Sequence, residues 1–154
     1  MNEIEIFLSS LEERFGIQRE CFHKYHLFSR SNDIWCVTKE ASDVEFKHVI
    51  RRGIRIARVF PHSVRPTTNA IQIFGHLVSK NSLELDEKAT RLFLAGKTVD
   101  VKPLAGITDG FVVAFYKHYA LGVGLLKGSK LKSQVPRSRR VLDSKEIVNH
   151  RIEN

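Results

Sequence analysis

The chain has 154 residues, 42% hydrophobic and 27% charged, with a formal net charge of +8 and a pI near 9.7. That is room for one ordinary domain or two small ones, and the composition is that of globular protein rather than disordered or fibrous chain. No run of 18 apolar residues exists, so no spanning helix is expected. Glu3 to Phe15 opens the chain as a helix: Ile4, Phe7, Leu8, Leu11 and Phe15 recur at three- and four-residue spacing, Asn2 is placed to cap it, and Gly16 stops it. Tyr25–Phe28 and Ile34–Thr38 flank the turn residues Ser31-Asn32-Asp33 and read as a hairpin. Ser42-Asp43 reads as a loop. Gly53 to Phe60 alternates as a strand, with Ile54, Ile56 and Arg58 on one face and Arg55, Ala57 and Val59 on the other. Thr67 then caps a helix whose apolar stripe is Ala70, Ile71, Phe74, Leu77 and Val78. Lys80-Asn81-Ser82 breaks the chain into two parts, 1–80 and 81–154.

The second part opens with a strand, Ser82–Leu85, followed by a helix that Asp86 caps and Gly96 ends, with Ala89, Leu92 and Phe93 facing inward. Lys97–Lys102 alternates as a strand, and Thr108-Asp109-Gly110 makes a turn. Phe111–Phe115 is a strand apolar on both faces, Lys117-His118 turns it, and Ala120–Leu126 returns. Gly122 and Gly124 lie two apart on that strand, where missing side chains admit a second backbone or a bulky ring. Gly128 to Arg140 is basic and reads as a loop. Val141 to Ile147 reads as a last strand or helix.

Residues 1–77 hold 11 Lys+Arg against 9 Asp+Glu, and residues 78–154 hold 14 against 8. Two long windows contain no acid. Phe46–Leu83 carries the basic patch Arg51, Arg52, Arg55 and Arg58, together with Lys47, Arg65 and Lys80. Phe111–Leu142 carries Lys117, Lys127, Lys130, Lys132, Arg137, Arg139 and Arg140. Segregated positive charge of this kind suits a phosphate-bearing polymer, since each neutralised phosphate releases counterions. Phe115, Tyr116 and Tyr119 beside Lys117 are rings that either stack on unpaired bases or fill the core and hairpin tip.

The order of elements from LELDEKATRLFLAGKTVDV through FVVAFYKHYALGVGLL, with Gly96 and the Gly-x-Gly pair, resembles the PUA domain, an RNA-binding module. The run FLAGKTVDVKPLAGITDGFVVAFYKHYALGVGL is also similar to the C-terminal half of ribosome-biogenesis proteins of the Nip-seven type. GLLKGSKLKSQVPRSRR is similar to the end of PUA-like domains appended to rRNA and tRNA cytosine methyltransferases. The resemblance covers about Lys80 to Leu142. It implies an α+β chain: a small pre-PUA-like α/β domain followed by a PUA-like β pseudo-barrel. It further implies RNA binding at the helix, the strand after it and a later strand, which nominates Arg91, Lys97, Lys102 and Lys127. It also implies that Gly96 and Gly106 let RNA backbone come close.

The carboxylates fit caps and turns, and no phosphate loop or nucleophile elbow is present. Cys21 and Cys36 lack the spacing of a structural zinc site or a disulfide framework, so neither metal nor cofactor is expected. The N-terminal MNEIEIFLSSLEERFG is acidic, unlike a signal peptide, which points to a cytoplasmic, reducing setting and no membrane. The sequence therefore suggests a non-catalytic RNA-binding protein. It would recognise structured tRNA or rRNA in RNA modification or ribosome biogenesis, with the N-terminal part docking a protein partner or extending the RNA surface. The alternative is an accessory RNA-binding subunit of a split tRNA-modifying enzyme, such as an archaeosine tRNA-guanine transglycosylase.

Overall fold

The computed structural model describes residues 2–102 and 104–141. The chain divides into two compact units, Met1–Lys80 and Asn81–Asn154. Each combines one sheet with short helices, so the class is α+β.

In the first unit, helix α1 (Glu3–Ser10) begins where the Asn2 side chain accepts the Glu5 N–H at 2.9 Å. Glu3 and Glu5 lie in its first turn, where the helix dipole favours acids. A wider π-helical turn, Leu11–Phe15, continues it and keeps Phe7, Leu11 and Phe15 buried on one side. Gly16 ends it at φ +69°. Strands β1 (Tyr25–Arg30), β2 (Asp33–Thr38), β3 (Ile54–Phe60) and β4 (Ser63–Pro66) pair antiparallel in chain order. Ser31 and Asn32 turn β1 into β2 with positive φ of 51° and 62°, which matches the twist of a two-residue hairpin. Between β2 and β3, where a loop is expected, Thr38 caps a one-turn helix, α2 (Lys39–Ser42). Helix α3 (Thr68–Phe74) starts where Thr67 Oγ1 accepts the Ala70 N–H at 3.2 Å. Its Phe74 ring meets Phe22 at 4.8 Å between centroids and Tyr25 at 5.5 Å, and Phe22 meets Phe7 at 5.8 Å. Phe7, Phe22 and Phe74, with Ile34, Ile56 and Ile71, are buried in the core of the unit, and Tyr25 packs at its edge.

One expectation for β3 is corrected. Simple alternation separates Arg55 from Arg58, but the β2–β3 register pairs Ile34 with Ala57 and then Trp35 with Arg55, passing over Ile56. This bulge buries both Ile56 and Ala57 and returns Arg55 to the face that carries Arg58.

In the second unit, β5 (Ser82–Glu84), α4 (Glu87–Leu94), β6 (Thr98–Asp100), β7 (Gly110–Tyr116), β8 (Tyr119–Lys127) and β9 (Lys130–Ser133) follow in turn. The sheet order is β5-β7-β8-β9-β6, with β5 parallel to β7 and the other pairs antiparallel. Closure into the expected pseudo-barrel is not established by this pairing. Among the described residues β5 and β6 are its two edges and no ladder joins them.

Asp86 Oδ1 accepts the Ala89 N–H at 2.7 Å at the start of α4. At its end Gly96, at φ +81°, donates to the Phe93 carbonyl, and Lys97 donates to that of Leu92, each at 3.0 Å. Phe93 is fully buried among Leu83, Val99, Val112, Leu126 and Leu131. Gly124 lies directly beneath it: a Cβ there would stand 2.5 Å from Leu131 Cδ1 and 3.1 Å from Phe93 Cε2. The bulky-ring reading of the Gly-x-Gly pair thus holds at Gly124. Gly122 sits at the β7–β8 bulge, where the register passes over Leu121. The expected loop after Gly128 is corrected over Lys130–Ser133. Lysine alternates there with Leu131 and Ser133, which are buried, and that alternation makes a strand. Beyond it Arg137–Arg139 forms a 3-10 turn. Of the last element expected, Val141–Ile147, all but Val141 lies outside the described residues.

Gly124→Val should cost about 1–3 kcal/mol of stability by overpacking against Phe93 and Leu131, read as a lower urea midpoint with unchanged slope. Burial pushes the Cys36 thiol up to about 11, whereas Cys21 is only half-buried. Iodoacetamide at about pH 8 should therefore label Cys21 in the native protein and reach Cys36 only after unfolding.

Candidate nucleic-acid interface

The expected site residues fall into separate groups. At the β8–β9 turn, Lys127 pairs with Lys130, and Lys132 stands opposite Leu125 on β8 and Thr98 on β6. Residues opposed across a ladder share a face, so Lys127, Lys130 and Lys132 project from one side of the sheet while Leu126, Leu131 and Val99 fill the other. The Val101 N–H donates to the Ser129 carbonyl at 2.9 Å, which brings Lys102 to the same end. All four lysines are exposed. Asp100 pairs with Lys130 on the surface, and Asp109 is occupied structurally, accepting the Gly128 N–H at 3.0 Å.

A second group surrounds the C-terminus of α4. Arg91 is exposed and pairs with Glu87 one turn back at 2.5 Å. Lys97 precedes β6, and its carbonyl accepts the Ser133 N–H. Arg140 lies across Gly96 and donates from Nε to the Val135 carbonyl at 3.2 Å. The Val141 N–H donates to Leu94 at 3.0 Å, so the segment carrying Arg137 and Arg139 is tied back to the helix end. Guanidinium charge there also complements the negative pole of the helix. Gly96 therefore accommodates Arg140. Gly106, at φ +84° with open space around it, serves a turn.

Lys117 is not brought to either group. It occupies the β7–β8 turn at φ 53°, with Nζ 5.4 Å from the Tyr116 ring centroid. Nine-residue β8 separates it from Lys127 by roughly 25 Å.

In the first unit the bulge gathers Arg55 and Arg58 around Asp33. Asp33 accepts from Arg58 Nε at 2.8 Å and Nη2 at 3.0 Å, and from Arg55 Nη1 at 3.4 Å. Arg65, opposite Arg58 on β4, joins them. Sequence reasoning did not assign Arg65 to the patch, because β4 is a short strand that its pattern does not reveal. Arg51 lies over the Trp35 ring at 5.9 Å. Arg52 is turned away, donating to the Ser42 and Val44 carbonyls at 2.7 and 2.8 Å. The Arg58 hydrogen bond, with the charges of both arginines, holds the Asp33 carboxyl below the usual carboxylate range. Burial, aided by Arg58 and Arg55, lowers the Arg65 pKa.

The helix ended by Gly96, the strand after it and the Gly-x-Gly strand define a PUA-like unit. Residues 80–141 match the family described as "Methyltransferase RsmF PUA domain", and this stretch is a PUA-like domain of that kind. The chain is also similar to ribosomal RNA small subunit methyltransferase F of Aeromonas hydrophila, 31% identical over 136 residues, and to that of Aeromonas salmonicida, 29% identical over 136 residues. These alignments take in 88% of this chain and 27% of each relative, so the chain spans about a quarter of the length of the relatives it matches. They overturn the expectation of a non-catalytic protein: both relatives are named as enzymes.

Asp33 supplies a pH test. Its depressed pKa means that its contribution to stability is present above the ordinary aspartate value, near about 4, and is lost as pH falls through the folded value. Asp33→Asn should cost about 1–3 kcal/mol at pH 7. Its stability deficit should narrow steadily below about pH 4 in urea titrations across pH.

Proposed function

We propose that this chain is the RNA-gripping part of a methyltransferase that modifies small-subunit ribosomal RNA. The observation that carries this reading is the gathering of Lys102, Lys127, Lys130 and Lys132 at one end of the PUA-like sheet. Residues 80–141 hold 12 Lys+Arg against 5 Asp+Glu, and of those acids Asp109 is turned to a backbone amide. Lys127, Lys130 and Lys132 are exposed charges at fixed positions on the β8–β9 ladder, Lys130 beside Asp100, and suit phosphates better than base edges. Arg91, Lys97, Arg137, Arg139 and Arg140 extend the positive field around the end of α4, and Gly106 leaves backbone open to approach. The relatives' names favour rRNA over tRNA as the polymer.

The triple variant Lys127→Glu, Lys130→Glu, Lys132→Glu should weaken binding of a structured small-subunit rRNA fragment by at least about tenfold. It should also flatten the dependence of log affinity on log salt by about two to three. Fluorescence anisotropy between low and moderate salt measures both, with circular dichroism confirming the fold. Unchanged affinity and slope would remove the β8–β9 lysines from the interface. Equal affinity for duplex DNA of the same length would remove the selectivity for structured RNA.

A further inference from the structure

We propose that the outer face of the β1–β4 sheet is a second RNA site, where unpaired bases stack on Phe28 and, displacing Arg51 from over its ring, on Trp35, and their phosphates meet Arg51, Arg55 and Arg58. The proposal rests on the RNA-binding reading above but concerns a different surface and a different form of the polymer: single strand rather than folded shape.

Register places the parts. Phe28 pairs with Trp35, Trp35 with Arg55, Asp33 with Arg58, and Arg58 with Arg65, so all six stand on the face opposite Ile34 and Ala57. The Phe28 and Trp35 rings are nearly parallel, 6.4 Å between centroids at 14°, and His26 continues the row 5.9 Å from Phe28 at 23°. Parallel rings along the outward side of a sheet, flanked by arginine, are the features that take splayed bases on other single-strand binders.

Charge separates this face from a self-contained ion-pair network. The four strands carry Arg30, Arg55, Arg58 and Arg65 but one acid, Asp33. Asp33 takes Arg58 through Nε and Nη2, which fixes the guanidinium plane, and among the described residues nothing engages its Nη1. The side chains of Arg55 and Arg58 remain 47% and 43% exposed. One carboxylate thus orients two guanidinium groups without neutralising them, and positive charge remains in excess.

Trp35 is the sole tryptophan of the chain, so its emission reports on this face alone. Titration of the 154-residue protein with oligouridylate of about ten nucleotides should quench that emission saturably and reversibly with salt. Arg51→Gln with Arg55→Gln should weaken the quenching titration about tenfold while leaving the fold intact. The Lys127, Lys130, Lys132 triple variant should retain the quenching. Unaltered Trp35 emission while anisotropy still reports bound RNA would overturn this proposal and leave the function of the PUA-like unit standing. Equal quenching by polyglutamate would also overturn it, assigning the face to an acidic protein instead. Quenching that persists when structured rRNA fails to bind would support this site and overturn the PUA-like one.

Discussion

Phe93 against the bare backbone of Gly124 is the contact on which the second unit depends. The ring is fully buried, and it reaches the sheet because position 124 carries no side chain. That approach seats α4 over β8 and β9, and the helix then ends at Gly96 beside the start of β6. The positions of Lys97, Arg140 and the segment from Arg137 follow from it. The same tight layer forces Leu131 inward, and strand alternation then sends Lys130 and Lys132 outward. Apolar packing on one side of the sheet thus sets the charge pattern on the other.

The first unit achieves a comparable result by irregularity. Regular β3 would have sent Arg55 and Arg58 to opposite faces. The bulge over Ile56 costs one ladder position, buries two successive residues and delivers both arginines to Asp33. A carboxylate with two guanidinium partners is held ionised, and it holds them in place in return. The outward row of His26, Phe28 and Trp35 comes from the same hairpin register, with Ile34 and Cys36 taking the core side.

The relatives change the setting in which these surfaces are read. Composition and the absence of familiar catalytic motifs suggested a protein that only binds. The named relatives are rRNA methyltransferases, of which this chain aligns with about a quarter. On the function proposed above, positive charge on the PUA-like unit would be the means of holding RNA. The arginine-rich sheet face is the second site proposed, of different character.

What the sequence determined by itself was local. Caps at Asn2, Thr67 and Asp86, stops at Gly16 and Gly96, and the Ser31-Asn32 turn all rest on interactions within a few residues, so they were legible in order along the chain. The acid-free windows were legible too, because charge segregation needs no fold. Tertiary structure alone decided which charges meet. Lys102 joins Lys127 and Lys130 through a ladder between distant segments, Lys117 is left at the far end of β8, and Arg140 is laid across Gly96. It also decided that Arg55 and Arg58 share a face, since a bulge is a response to packing on the neighbouring strand and leaves no mark in the alternation of its own residues.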